Sequence, residues 1–270
     1  MGPVKAIDST RMRGNFSNHA GDYDSYASVQ QRVVELLSST VQRFPLNPGA
    51  LLDVGTGTGA LASRLSASEG VRPLVIVDIA HGMTQEASQR MPAALACDGD
   101  ARLLPFAGNS FAAVVSSSVY QWVNCLPTAF ADVARVLRPG GFFAVALFGE
   151  KTLYELRHSH RQAVRESKPG QASHVQSFPS IDEVSLAIGS AGLGARELFS
   201  VMEVEYHHDV PDLLRQLKQI GASNASADRP RGLASRRVMQ AMMSGYEKNY
   251  RCGAGLPASY EVIIAVAEKT

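Results

Sequence analysis

Between Ala50 and Phe148 the chain follows a rhythm that leaves few folds open to it. Short apolar runs, Ala50–Val54, Leu74–Val77, Ala94–Cys97, Ala112–Ser116 and Phe142–Leu147, alternate with longer stretches of helical character. Unbroken apolar runs of this length suit strands covered on both faces. Strands alternating with helices imply a parallel sheet made of right-handed crossover units. Between the fourth and fifth runs, Phe130, Val133, Val136 and Leu137 recur at helical spacing, and Pro139-Gly140-Gly141 ends that helix. Ahead of this core, Val29, Val33, Val34, Leu36 and Leu37 predict an amphipathic helix. Behind it, Glu150 to Gln176 is polar and helix-like, and Ser180-Ile181-Asp182-Glu183 is a capping box opening a helix that stops near Gly192. Asp209 caps a helix with the stripe Val210, Leu213, Leu214, Leu217 and Ile220, and a last helix carries Val238, Met239, Met242 and Tyr246. Val201–Tyr206 and Tyr260–Ala267 read as further strands.

Gly55, Gly57 and Gly59 follow the first strand and open a helix. Glycine lets the backbone turn sharply and come close to a ligand. Gly55, Gly57 and Ala60 also satisfy the dinucleotide pattern, so the spacing alone leaves two ligand classes open. Three acids decide between them. Asp53 lies inside the strand before the glycines, where a carboxylate can face the ammonium of an amino-acid ligand but would repel a pyrophosphate. Asp78 ends the second strand and can accept from both ribose hydroxyls, a feature common to both readings. Asp100, with Ala101, follows the third strand, where a carboxylate can accept from an adenine amino group.

In this order, Asp53-Val54-Gly55-Thr56-Gly57-Thr58-Gly59, Asp78, Asp100-Ala101, Leu104-Pro105-Phe106 with Ser110-Phe111, and Leu137-Arg138-Pro139-Gly140-Gly141 resemble the class I methyltransferases. The resemblance covers residues 50–148. It implies an α/β fold: a Rossmann-like seven-stranded methyltransferase sheet, last strand antiparallel, with helical lid insertions at the carboxyl edge. It also implies S-adenosylmethionine as cofactor, held by Asp53, Gly55, Gly57, Gly59, Asp78, Met83, Asp100, Ala101 and Ser116. The chain then divides into an N-terminal arm and helix (10–45), the cofactor core (50–148) and two lid or substrate insertions (149–178 and 207–255).

In such a sheet a ligand lies beyond the carboxyl ends of the strands, within reach of these insertions. Phe16, Tyr23 and Tyr26 of the arm either pack over the cofactor or anchor a helix. Tyr120 and Trp122, after the fourth strand, either stand near the reacting methyl group or pack in the core. The arm Phe16-Ser17-x-x-Ala20-x-x-Tyr23-x-x-Tyr26-Ala27-x-Val29-Gln30, the step Tyr120-Gln121-Trp122, Thr152-Leu153-Tyr154-Glu155-Leu156, and Leu213-Leu214-Arg215-Gln216-Leu217-Lys218-Gln219-Ile220-Gly221-Ala222 resemble one narrower family across almost the whole chain. That family is the malonyl-acyl-carrier-protein O-methyltransferases of biotin synthesis. The resemblance implies methyl transfer to the free carboxylate of a malonyl thioester on acyl carrier protein, with malonyl coenzyme A as the other carrier the sequence leaves open.

A malonyl carboxylate is already ionised at neutral pH, so no general base is expected, and the sequence offers no convincing catalytic triad or metal site. Catalysis would be in-line positioning in a dry pocket. Tyr23 and Trp122 are the candidates for that positioning, and Tyr120, Arg157 and Lys218 for binding substrate. On the helix wheel Lys218 flanks the apolar stripe, while Arg215 points roughly opposite to solvent. His174 is a weaker candidate. Arg229, Arg231, Arg236, Arg237 and Lys248 are candidates for a basic patch facing an acidic carrier protein.

A net charge of +1 gives no global field for nucleic acid or membrane. The three cysteines, Cys97, Cys125 and Cys252, form no CxxC pair and suit a reducing compartment, hence the cytoplasm. No apolar run is long enough to cross a bilayer. Residues 1–13 hold Lys5, Arg11 and Arg13 against one acid, Asp8, and read as an unstructured leader or a transit peptide. Two other functions stay open: methyl transfer to another small carboxylate or a quinone precursor, and a non-methylating assembly factor or protein-modifying hydroxylase of respiratory-complex maturation.

Overall fold

A computed structural model describes residues 7–45, 47–69, 73–167, 176–222 and 235–270. Asp8 opens the first helix, its carboxylate accepting from the Arg11 amide at 3.1 Å and capping α1, Ser9–His19. The leader is therefore helical from Ser9 onward, and Arg11 and Arg13 belong to that helix. A 3-10 turn, Ala20–Asp22, and the short α2, Tyr23–Tyr26, lead into α3, Ser28–Val41. Of the predicted stripe of α3, Val29, Val33 and Leu37 are buried and Val34 and Leu36 half-buried, and Val41 extends the buried face.

The core then alternates as the apolar runs require. β1 (Leu51–Val54), α4 (Ala60–Glu69), β2 (Leu74–Asp78), α5 (His81–Arg90), β3 (Leu95–Asp98), β4 (Phe111–Ser117), α6 (Leu126–Val136) and β5 (Leu137–Phe148) follow in order. α7 (Tyr154–Ser167), α8 (Ile181–Ser190), β6 (Leu193–His207), α9 (Val210–Gln219), α10 (Arg236–Tyr250) and β7 (Leu256–Lys269) complete the chain. The strands form one sheet in the order β3-β2-β1-β4-β5-β7-β6. β1 to β5 pair in parallel, while β7 inserts antiparallel between β5 and β6. This is the predicted α/β sheet with its last strand reversed.

Successive side chains of a strand face opposite ways, and here both faces are covered. Ala144, Ala146 and Phe148 of β5 join Val262 and Ile264 of β7 under α3, α7 and α10. Phe143, Val145 and Leu147 join Ile263 and Ala265 under α6 and α8. The strand order reverses between β1 and β4, which opens a crevice at their carboxyl ends.

Three details depart from the expectations. β3 is an edge strand and Leu95 is 70% exposed, so its apolar run is not covered on both faces. β6 and β7 run well beyond Val201–Tyr206 and Tyr260–Ala267. The irregular start of β6, with a register shift between Ala195 and Glu197, becomes strand only because β7 pairs with it. The capping predictions hold: Ser180 and Glu183 exchange bonds at the start of α8, and Asp209 accepts from the Asp212 amide at 2.7 Å. α7 and α10 run antiparallel, the start of one beside the end of the other, with Tyr154 and His158 edge-on to Tyr250. No described helix is long and apolar enough to cross a membrane.

Candidate active site

The crevice at the β1/β4 switch is walled by the glycine loop, the ends of β2 and β4, and the N-terminal arm. Gly55 and Thr56 donate to Val77 O at 2.7 and 3.0 Å, so the loop is tied to the neighbouring strand. Gly55 and Gly57 take φ of +67° and +55°, a region that side chains rarely adopt. A Cβ on Gly57 would meet nothing within 4 Å, so the backbone there lies bare toward open space.

Both acids that the sequence set beside this loop reach the wall. Asp53 is 1% exposed and accepts from Thr56 Oγ1 at 2.8 Å. Burial, with the neighbouring charge of Asp78, pushes its carboxyl up to about 7 despite the Thr56 bond. Asp78 accepts from Gly57 N at 2.9 Å and Ala80 N at 2.8 Å, and burial pushes it up to about 6. Among the described residues neither acid forms an ion pair. Two buried carboxylates without a cation make a pocket that favours a positively charged ligand.

Asp100 also lines the pocket, with Ala101. Its carboxylate is gripped by Arg102, from the amide at 2.9 Å and the guanidinium at 2.5 to 3.0 Å. Burial raises this carboxyl, but the Arg102 contacts outweigh it and hold the carboxyl below its usual range. These contacts occupy the acceptor positions that an adenine amino group would use. The sequence reading did not foresee this competitor.

The arm closes the pocket. Met12, Phe16, Tyr23 and Asp24 line it, and Asp24 is held by Thr58 Oγ1 at 2.7 Å and by the Arg90 guanidinium. Gly82 N donates to Ser17 Oγ at 2.9 Å, and Ile7 N to Asn124 Oδ1 at 2.7 Å. Tyr23 packs with Met83, Ala80 and Phe16, and burial raises its hydroxyl pKa. Trp122 stands edge-on to Phe16 with ring centroids 5.6 Å apart. Tyr23, Trp122 and Met83 are thus brought together on one wall.

Tyr120, Ser116, Lys218 and Arg157 are not, and Gly59 lies off the wall as well, turned toward Ala87 of α5 and Met91 at its end. Tyr120 is fully buried between Phe130 and Phe143, with centroids at 5.1 and 5.8 Å, and belongs to the core. The 3-10 turn Tyr120–Trp122 sends its two aromatic ends opposite ways. Ser116 is buried and donates to Val54 O at 2.8 Å, tying β4 to β1, while Ser117 and Ser118 reach the wall. Lys218 is exposed and off this wall. Its helix acts through the arm instead: Gln216 donates to Tyr26 O at 3.1 Å, and Gly221 sits against Phe16 and Asn15. Arg157 lies outside this wall too. Its guanidinium donates to Glu150 O and Thr152 O, rests 5.8 Å over the Phe178 ring, and forms no ion pair among the described residues. Arg229, Arg231 and His174 lie outside the described residues. No described residue of 149–178 or 207–255 reaches the wall.

Ser118 is a site residue that the sequence did not single out. It takes φ +60°, and its hydroxyl is buried in the pocket wall without a partner. Gln121 Nε2 and the Ala146 carbonyl fix its backbone. No periodicity signals such a residue, because its conformation comes from the end of β4 meeting β5. Ser118→Gly is expected to stabilise the protein by about 1 kcal/mol through relief of the strain. It is also expected to lower kcat/KM about fivefold, through loss of one hydrogen bond to a bound molecule. Thermal melts and steady-state rates check both, and unchanged kcat/KM removes the hydroxyl from the site.

A methyltransferase-domain family model matches residues 52–145. A malonyl-[acyl-carrier protein] O-methyltransferase of Geobacter sulfurreducens is 42% identical over 266 residues, spanning 97% of this chain and 100% of that protein. The chain belongs to this methyltransferase family. A relative of the same name from Methylovorus is 35% identical, over 97% of this chain and 90% of that protein. The structure of the YcgJ protein from Bacillus subtilis superposes with a TM-score of 0.58 over 88% of this chain and 98% of that one; at 17% identity this speaks for the fold alone. The methyl donor of this methyltransferase is S-adenosylmethionine. The pocket fits that molecule. Buried, unpaired Asp53 and Asp78 suit its positive charge and ribose, the bare Gly57 backbone allows close approach, and Met83 and Trp122 supply apolar wall.

Proposed function

We propose that this methyltransferase esterifies the free carboxylate of a malonyl thioester carried on acyl carrier protein, an early step of biotin synthesis in the cytoplasm. S-adenosylmethionine, when bound, supplies the methyl group on a sulfonium. One observation carries the reading. The identity to the malonyl-[acyl-carrier protein] O-methyltransferases extends over the arm and the segments after β5, where an acceptor is chosen, as well as over the cofactor core.

The site chemistry agrees with an acceptor that arrives ionised. Among the described residues no histidine lines the pocket; Asp53, Asp78 and Asp100 lie on the side assigned to the donor, and Asp24 is tied to Thr58 and Arg90. What the chain contributes is position and dryness. Asp53 faces the donor's ammonium, Asp78 its ribose, and Ala101 its base, with Asp100 able to accept from the base only once Arg102 releases it. Tyr23, Phe16 and Trp122 exclude water from the reacting centre and hold the donor against the glycine loop. Charge disperses when an anionic acceptor meets a cationic donor, so a dry wall favours the step. Arg157 is the group proposed to receive a carboxylate. A half-buried guanidinium without an acid partner can grip one through two hydrogen bonds, and burial together with Arg161 already weakens its hold on its own proton. The segments 149–178 and 207–255 are proposed to form the acceptor side.

The test is direct. The purified protein is offered malonyl-carrier protein and malonyl coenzyme A in competition, with S-adenosylmethionine. Methyl ester on the malonyl group, read by mass spectrometry and formed faster on the carrier protein, is the expected outcome. No ester on either thioester, with donor binding confirmed by calorimetry, would overturn the reading.

A further inference from the structure

Arginines elsewhere in the described chain mostly stand beside an acid. Arg32 pairs with Glu203, Arg43 with Glu197, Arg90 with Asp24, Arg135 with Asp132, Arg196 with Glu268 and Arg251 with Glu247. The α7–α10 pair breaks this habit. Arg157, Arg161 and Arg165 recur every fourth residue of α7, a spacing that places like charges side by side on a helix at a cost in stability. None of the three forms an ion pair among the described residues. Arg161 and Arg165 are exposed, on the face opposite the buried Glu155, Ser159 and Ala163.

The surface does not end with α7. Its first turn lies against the last turn of α10, through Tyr154, His158 and Tyr250. Because the two helices are antiparallel, the last turn of α7, which carries Arg165, lies toward the start of α10. There Arg236 and Arg237 are both exposed and also without an ion pair among the described residues. Of the acids nearby, Glu155 is buried against Ser259 and Glu247 holds Arg251, while Glu166 on the flank of α7 and Glu150 ahead of it keep their charge. Net charge over the chain is only +1, so this is a local concentration of positive charge.

The placement matters as much as the sign. α7 begins just beyond the carboxyl end of β5, the same edge of the sheet on which the pocket opens. Arg157, the proposed carboxylate receiver, stands at the head of the row.

We propose that the exposed face of α7 at Arg161 and Arg165, continued by Arg236 and Arg237 of α10, is the docking surface for the acidic carrier protein. This rests on the malonyl-carrier reading above and adds to it where the carrier sits. Exposed charge pairs of this kind steer encounter and set salt dependence. They also give the site a way to prefer a protein-borne thioester over a small one, since only the former brings a protein surface to meet the arginines.

The experiment compares wild type with the double variant Arg161→Glu/Arg165→Glu, using malonyl-carrier protein across a salt series. The KM for malonyl-carrier protein is expected to rise about tenfold at low salt. Its salt dependence should flatten, with kcat and donor affinity unchanged. Arg161→Gln/Arg165→Gln, which removes the charge without reversing it, should shift KM in the same direction by less. If reversal also lowers donor affinity or melting temperature, the glutamine pair decides, and an unchanged KM there overturns the proposal. Arg138→Glu, exposed at the opposite end of β5, should leave KM alone. An equal rise there shows a general charge effect and also overturns the proposal. A wild-type protein that forms no malonyl ester sinks the functional reading instead, a result distinguishable from failure of the surface.

Discussion

Gly55→Ala is expected to lower affinity for S-adenosylmethionine on the order of a hundredfold. The residue holds φ +67°, which costs an L-residue roughly 1–2 kcal/mol. The new methyl group would also run into the side chain of Val119, overlapping Cγ2 and lying 2.7 Å from Cγ1. Overpacking of that kind costs roughly 1–3 kcal/mol. Val119 leads directly into the turn that carries Trp122, so relieving the clash moves the aromatic wall away from the glycine loop. Gly57→Ala is the informative comparison. Its Cβ would meet nothing within 4 Å, so it pays the backbone strain without a clash inside the protein. Thermal melts of the ligand-free variants should rank Gly55→Ala well below Gly57→Ala, while calorimetric titration should show weakened donor binding in both, since a Cβ on Gly57 enters the space the donor approaches. Wild-type affinity in Gly55→Ala would show that β4 yields freely, and that the loop does not depend on this contact.

Donor binding is expected to weaken as pH falls below about 7, and Asp53→Asn should remove most of that dependence. Burial raises the Asp53 carboxyl from its ordinary 3.8 to about 7, with Asp78 nearby at about 6. A carboxyl whose folded value is raised binds its proton more tightly in the folded chain than in the unfolded one. Between about pH 4 and pH 7 the folded state therefore carries the extra proton, and stability of the ligand-free protein declines as pH rises through that window. A cationic donor reverses the preference, because it requires the carboxylate. The expected slope is at most tenfold in affinity per pH unit for one linked proton. Asp53→Asn keeps the shape, cannot ionise, and should make the ligand-free protein more stable above pH 7 while weakening donor binding. Calorimetry and thermal melts from about pH 5.5 to about pH 8.5 read both effects. The same pH slope in wild type and variant would assign the proton to another group.

Much of the cofactor half was legible in the chain because its information is local. Asp53, the glycines and the start of α4 are neighbours in one strand-turn-helix, and Asp78 ends the next strand. A pattern read along the sequence therefore already names residues that meet in space. The acceptor half is different. Tyr120 and Trp122 sit two residues apart in similar company, yet one fills the core between Phe130 and Phe143 and the other faces Phe16. Ser116 and Ser118 divide in the same way. Asp100 looked free for a ligand until Arg102 was seen folded onto it.

By itself, then, the sequence determined the alternation of strands and helices, the sheet it builds, and the acid-flanked glycine loop, because burial period and turn chemistry act over a few residues. Only the tertiary structure decided that the arm closes the pocket through Asp24, Thr58 and Arg90, and that Lys218 stays outside while Ser118 lines the wall. It also decided that α7 packs against α10, with Arg161 and Arg165 exposed on the first and Arg236 and Arg237 on the second. Those outcomes depend on contacts between residues far apart in the chain, and no local pattern specifies which face of one element meets which face of another.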